Sequence, residues 1–201
     1  LNRKFFMLRS QQNRIGKPLY LIYPGEHFAS NENCFIGTIV GTCLAVSLFD
    51  SARRVGGLIN FVVPGTIGTG GILEDEIARI GILNMEYLMA DMVKLGCNRH
   101  FMKAKIFGAG HVDSIKKEQN LVDSNILFVR EYFEVEKIPI EKEDLGGNFR
   151  RKIYFSPRDG VVYRQILKNN SEFSEFIQLE KEYVESEFRN RSRVGKIILF
   201  D

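Results

Sequence analysis

Short apolar runs fill the first third of the chain, and longer segments with helical spacing follow. Leu19-Tyr20-Leu21-Ile22-Tyr23 predicts a short strand, stopped by Pro24-Gly25, a turn signal. Phe35 to Phe49 and Val55 to Val63 predict two apolar strands around Asp50-Ser51-Ala52-Arg53. Ile77, Ile80, Met85, Leu88, Met89, Met92 and Leu95 recur near helical spacing and predict a helix over about 74–95, with Gly96 as its stop. The methionines read as core filler. Lys103 to Phe107 reads as a buried strand leading into Gly108-Ala109-Gly110-His111. Asp123 or Ser124 is placed to cap a second helix running to about Lys137, with Ile126, Val129 and Phe133 inward. Ile138-Pro139-Ile140 is a short extended piece, and Lys152–Phe155 with Val161–Leu167 predicts a hairpin around residues 156–160. Ser171 to Arg191 predicts a charged amphipathic helix with Phe173, Phe176, Ile177, Val184 and Phe188 as its apolar stripe. Lys196 to Phe200 predicts a last strand. Helices beside many hairpin-linked strands define an α+β layered fold.

Three divisions follow: a basic N-terminal tail (1–17), a main domain (18–167) and a helix-and-strand extension (168–201). The glycine-rich stretch Pro64 to Gly71 lacks the Gly-Lys-Ser/Thr ending of a phosphate loop and does not match the dinucleotide fingerprint. It predicts a flexible loop or lid beside a site. The net charge of +3 is small and interspersed, so no nucleic-acid partner is expected. Arg150-Arg151-Lys152 is expected to solvate the strand it precedes. No apolar run is long enough for membrane insertion. Three cysteines (Cys34, Cys43, Cys97) without metal spacing argue against a disulfide framework or a zinc site, and for a cytoplasmic, reducing location.

Candidate chemistry gathers at Thr38-Ile39-Val40-Gly41-Thr42-Cys43. A small-residue turn there delivers a thiol to a strand, with a hydroxyl five residues upstream. If Asp50 and Arg53 flank a two-residue loop, antiparallel partners sum to 103 and Cys43 lies opposite Asn60. Leu44, Val46, Leu48, Val55, Ile59, Phe61 and Val63 then form a core face, leaving Cys43, Ala45 and Ser47 on the other. A lone cysteine in an apolar strand is ordinarily a small buried hydrophobe. The polar Asn60 inside an apolar run calls for hydrogen-bond partners and so for a reason to be there.

Pro24-Gly25-Glu26, Thr38 through Val46, Val55-Gly56-Gly57 and Pro64 together resemble the CheD family of chemoreceptor glutamine deamidases. Ala104 to Gly108, Asn125, Phe128 to Tyr132, Ile138 to Ile140, Glu143 to Gly147 and Arg151-Lys152 match its later blocks, so the similarity is collinear over about 18–167. The resemblance implies a three-layer α/β/β sandwich and a cysteine hydrolase with no metal or organic cofactor. It also implies methyl-accepting chemotaxis receptors as protein substrates, with selected glutamines converted to glutamate and ammonia released. A CheC-type phosphatase is a further implied partner. The family's cysteine falls on Cys43, its threonine on Thr38 and its histidine on Asn60.

The last position is a departure, because an asparagine can neither take up a proton nor hand one to leaving ammonia. Three accounts stand open: a weakened or inactive relative kept for binding a chemotaxis phosphatase or receptor, an engineered replacement at position 60, or a substitute base. His111, after the glycine turn, is the candidate substitute; His27 is a weaker one, and His100 belongs past a helix end. Backbone N–H groups near Thr42 and Cys43 are candidate donors for an oxyanion, with Gly41 and Thr42 as the oxyanion turn. The extension helix reads either as a helix packed on its own domain or as a partner-binding or dimerising addition.

Overall fold

The apolar runs become two sheets and the helical-period segments three helices, in a computed structural model that describes residues 16–68, 70–112, 120–168 and 173–191. The predicted strand from Lys196 to Phe200 and most of the predicted tail lie outside the described residues. The first half holds strands β1 (Leu19–Leu21), β2 (His27–Ser30), β3 (Phe35–Val40), β4 (Leu44–Asp50) and β5 (Val55–Phe61), then helix α1 (Ala78–Lys94). The second holds β6 (Met102–Gly108), α2 (Leu121–Val135), β7 (Ile140–Leu145), β8 (Arg151–Ser156), β9 (Val161–Ile166) and α3 (Ser174–Arg191). One sheet has the order β1-β3-β8-β9 and the other β2-β5-β4-β6-β7. The fold is α+β, as the strand-rich pattern predicted.

Two strand expectations change. The run from Phe35 to Phe49 is two strands in different sheets, and Gly41-Thr42-Cys43 carries the chain between them. Both flanking strands are buried almost throughout, so no polar alternation marks the crossing. The β4–β5 turn is also longer than a two-residue loop. Asp50 pairs with Val55, and the Asp50 carboxylate accepts the N–H groups of Ala52 and Arg53 at 3.0 and 3.1 Å. Arg54 closes the turn in the left-handed region, with φ 55°. The shift places Asn60 opposite Ala45 and leaves Cys43 just ahead of β4.

The predicted core face survives the shift, because a change of two residues preserves facing. Leu44, Val46, Leu48, Val55, Ile59, Phe61 and Val63 are buried with Met85, Leu88 and Met92 of α1 and with Phe128, Val129 and Phe133 of α2. Each such side chain contributes about 1.5–3 kcal/mol by leaving water. The opposite face of the same sheet carries Cys43, Ala45, Val62 and Phe107, which cluster with Val40 and Ile153 of the other sheet and Val184 of α3.

The ends of the helices also differ from expectation. The Asp75 side chain accepts the N–H groups of Ile77 and Ala78 at 2.8 and 2.9 Å, which fixes the start of α1. The second helix begins at Leu121, so Asp123 and Ser124 lie inside it rather than capping it. Ser124 Oγ instead accepts the Ile67 N–H at 3.3 Å, and Ile67 and Ile72 are buried, tying the glycine-rich loop to the helical core. Arg150 and Arg151 are not solvated: both are buried. Arg151 donates to Asp144 Oδ1 and to the Gly146 carbonyl, each at 2.8 Å, and its guanidinium lies 4.3 Å from the Phe149 ring centroid. Those partners meet at the β7–β8 connection, beyond the reach of local periodicity.

Candidate active site

The corner at 41–43 is held from two sides. Its carbonyls face the loop after β6: Gly110 N–H donates to Gly41 O at 2.7 Å and Ala109 N–H to Cys43 O at 2.8 Å. Gly108 makes the close approach possible, since a Cβ there would stand 2.2 Å from Cys43 O. The amides of the corner face the other way. Gly41 N–H and Cys43 N–H donate to one and the same oxygen, Glu180 Oε1 on α3, at 2.8 and 3.1 Å. The other oxygen of Glu180 lies 3.9 Å from Arg150 Nη1, with both side chains buried. A Cβ on Gly41 would fall 2.7 Å from Arg150 Nη1 and 2.8 Å from Glu180 Oε2. Gly41 therefore makes room for the ion pair.

Thr38 and Asn60 meet, although the register differs from that expected. Asn60 Nδ2 donates to Thr38 Oγ1 at 2.9 Å and to the Ile39 carbonyl at 3.1 Å, while Thr38 Oγ1 donates to the Ile22 carbonyl at 2.9 Å. The Asn60 backbone is fixed by Gly25 N–H and Glu26 O at 2.7 and 3.0 Å. Its Oδ1 is buried with no hydrogen-bond partner among the described residues. An unsatisfied buried acceptor costs about 1–3 kcal/mol.

His111 reaches the same region by its backbone: its N–H donates to Gly147 O at 2.8 Å, one residue past the Gly110–Gly41 bond. Its side chain is exposed, whereas Cys43 has no accessible surface. His27 pairs with Asp91 at 3.1 Å on the β2–α1 side, and His100 lies in the 3₁₀ turn after α1. Burial pushes up the thiols of the other two cysteines, Cys97 to about 11.

Pattern reading missed three residues around Cys43: Arg150, Glu180 and Tyr183. Burial pushes the Tyr183 phenol up, and the nearby Cys43 and Glu187 push it the same way, against a backbone bond from Val62. Its ring covers Gly25, where a Cβ would be 2.7 Å away. A signal existed for Glu180. It falls at helical spacing within the stripe of Phe173, Phe176, Ile177, Val184 and Phe188, a charge where an apolar residue belongs.

The fold and the site together define a mixed α/β protein with a buried thiol at a strand crossing, its amides turned on a carboxylate. Residues 65–165, half of the chain, match the family model described as CheD chemotactic sensory transduction. A protein of Shewanella oneidensis named probable chemoreceptor glutamine deamidase CheD 1 is 36% identical over 89% of this chain and 86% of its own length. Proteins with corresponding names from Laribacter hongkongensis and Chromobacterium violaceum are 37% and 39% identical over 73% and 74% of this chain, and over 71% and 74% of their own. Among solved structures, a Bacillus licheniformis hypothetical protein, YfiH, is similar at a TM-score of 0.32 and 17% identity over 59% of this chain and 49% of its own, too slight a likeness to bear on the fold. The chain belongs to the CheD family.

Proposed function

We propose that the chain is a chemoreceptor glutamine deamidase with Cys43 as its nucleophile, on a three-layer α/β/β frame. The names of its relatives support the substrate class, and core clusters on both faces of the five-stranded sheet support the layering. One observation carries the chemistry: the N–H groups of Gly41 and Cys43 converge on a single carboxylate oxygen. Two amides aimed at one oxygen beside a thiol form a ready pocket for an oxyanion. In the reaction the Cys43 thiolate adds to the glutamine side-chain carbonyl, and the oxygen takes the negative charge in that pocket. Collapse expels ammonia with a proton and leaves a thioester. Water then cleaves the thioester, giving a glutamate carboxylate and restoring the thiol. Thr38 and Asn60 hold the floor of the site, and Thr42 completes the turn.

No proton passes through the Asn60 amide, so the family histidine's position holds no base; His111, exposed and bonded by its backbone beside the Cys43 corner, is the candidate substitute. A second reading is favoured by Asn60 itself: a binding module, docking a receptor or a CheC-type phosphatase without turnover. Incubation with a receptor fragment separates the two. The deamidase reading expects ammonia and a gain of about 1 Da per converted glutamine, both lost in Cys43→Ala. Association that survives Cys43→Ala, with no mass change for wild type or for Glu180→Ala, which frees the two amides, would sink the enzymatic reading and leave the binding module.

A further inference from the structure

We infer that α3 is an intramolecular plug of the Cys43 site, with Glu180 seated as the reaction product would be. The inference rests on Cys43 as the deamidase centre and adds how that centre is regulated. Glutamine deamidation yields a glutamate side chain, and Glu180 presents such a side chain to the corner. One oxygen takes both N–H bonds, at 2.8 and 3.1 Å, and the other faces Arg150. An entering glutamine must place its amide oxygen on the same two donors. Each N–H carries one hydrogen aimed at one acceptor, so Glu180 and a substrate exclude each other.

The rest of the helix closes the approach. Tyr183 lies over Gly25, Val184 is buried in the cluster that holds Cys43, and Phe176 stacks on Tyr23 with centroids 4.5 Å apart. At the far end Arg191 donates to the Pro64 carbonyl at 3.2 Å. The footprint runs from the Tyr23 turn to the end of β5, and Cys43 beneath it has no exposed surface. A helix serving only as packing would carry an apolar residue at position 180, because a buried carboxylate is expensive unless paired and hydrogen-bonded. Here its partners are the amides that catalysis needs. Turnover thus requires α3 to leave.

The test is iodoacetamide labelling of the folded full chain, resolved by peptide mass for each cysteine. Glu180→Ala is expected to raise the labelling rate of Cys43 by about tenfold or more, as the open population grows. Cys34 and Cys97, both buried, serve as internal controls and should not change. Should Glu180→Ala fail to fold, Phe176→Ala removes only the stacking on Tyr23 and is expected to act in the same direction by a smaller factor. Unchanged Cys43 labelling, or a parallel rise at all three cysteines, overturns the plug. Ammonia release on a receptor fragment, run alongside, keeps the two claims apart. An opened variant that releases none defeats the deamidase reading and leaves the plug standing. Wild type turning over as fast as Glu180→Ala defeats the plug and leaves the deamidase.

Discussion

Asn60 does one part of what an imidazole would do at its position. It donates a hydrogen bond to Thr38 and is held by backbone bonds on both sides, but it carries no proton to a leaving amine. Its Oδ1 is buried without a hydrogen-bond partner among the described residues. Asn60→His is therefore expected to raise ammonia release by about 10²–10⁴-fold, the usual size of general acid–base help. The same change overfills a site with no accessible surface and should lower stability by about 1–3 kcal/mol, read from denaturant unfolding. A stability loss with no gain in rate would mean that the base lies elsewhere. Thr38, Gly41, Thr42, Cys43 and Asn60 were all readable as a group from the sequence, since small and polar residues interrupt otherwise apolar strands. Their spacing was less readable. The Asp50 side-chain turn and left-handed Arg54 add two residues to the β4–β5 loop; Ser51-Ala52, a poor primed turn, allows a longer loop without fixing its length.

At the level of elements, alternation exposed the β4 and β5 core face and periodicity exposed all three helices, because each pattern reports burial on one side. What neither could report is a charge buried against a partner outside its own element. Arg151 is one case. It holds the Asp144 carboxyl below the ordinary carboxylate range, chiefly by their hydrogen bond, with burial working against it and the charges of Arg151, Arg164 and Lys142 assisting. A carboxyl lowered on folding adds stability above its unfolded value, and that stability is lost as pH falls through the lowered folded value. Wild type should thus weaken as pH falls below the ordinary carboxylate range. Asp144→Asn should be less stable at pH 7 by about 2 kcal/mol and respond less to acid. Urea unfolding at neutral and acid pH checks this, and equal slopes for both chains would contradict it. Glu180 is the other case, and there the missing partner was a turn 137 positions upstream.

For the molecule as a whole, the described residues hold two sheets, a helical layer over one of them and a third helix seated on the cysteine corner. None of these helices is long and apolar enough to cross a membrane. The corner is fixed unequally: its carbonyls are bonded to Ala109 and Gly110 of the main body, and only its amides to α3. Departure of α3 therefore leaves the peptide planes of Gly41 and Cys43 where they were. The consequence shows in time. The slow event is the helix leaving, not the pocket assembling, so ammonia release after mixing with a receptor fragment should begin with a lag. That lag should not shorten as the fragment is made more concentrated, and it should vanish in Glu180→Ala. A progress curve straight from its first points would mean that the corner and the helix move as one.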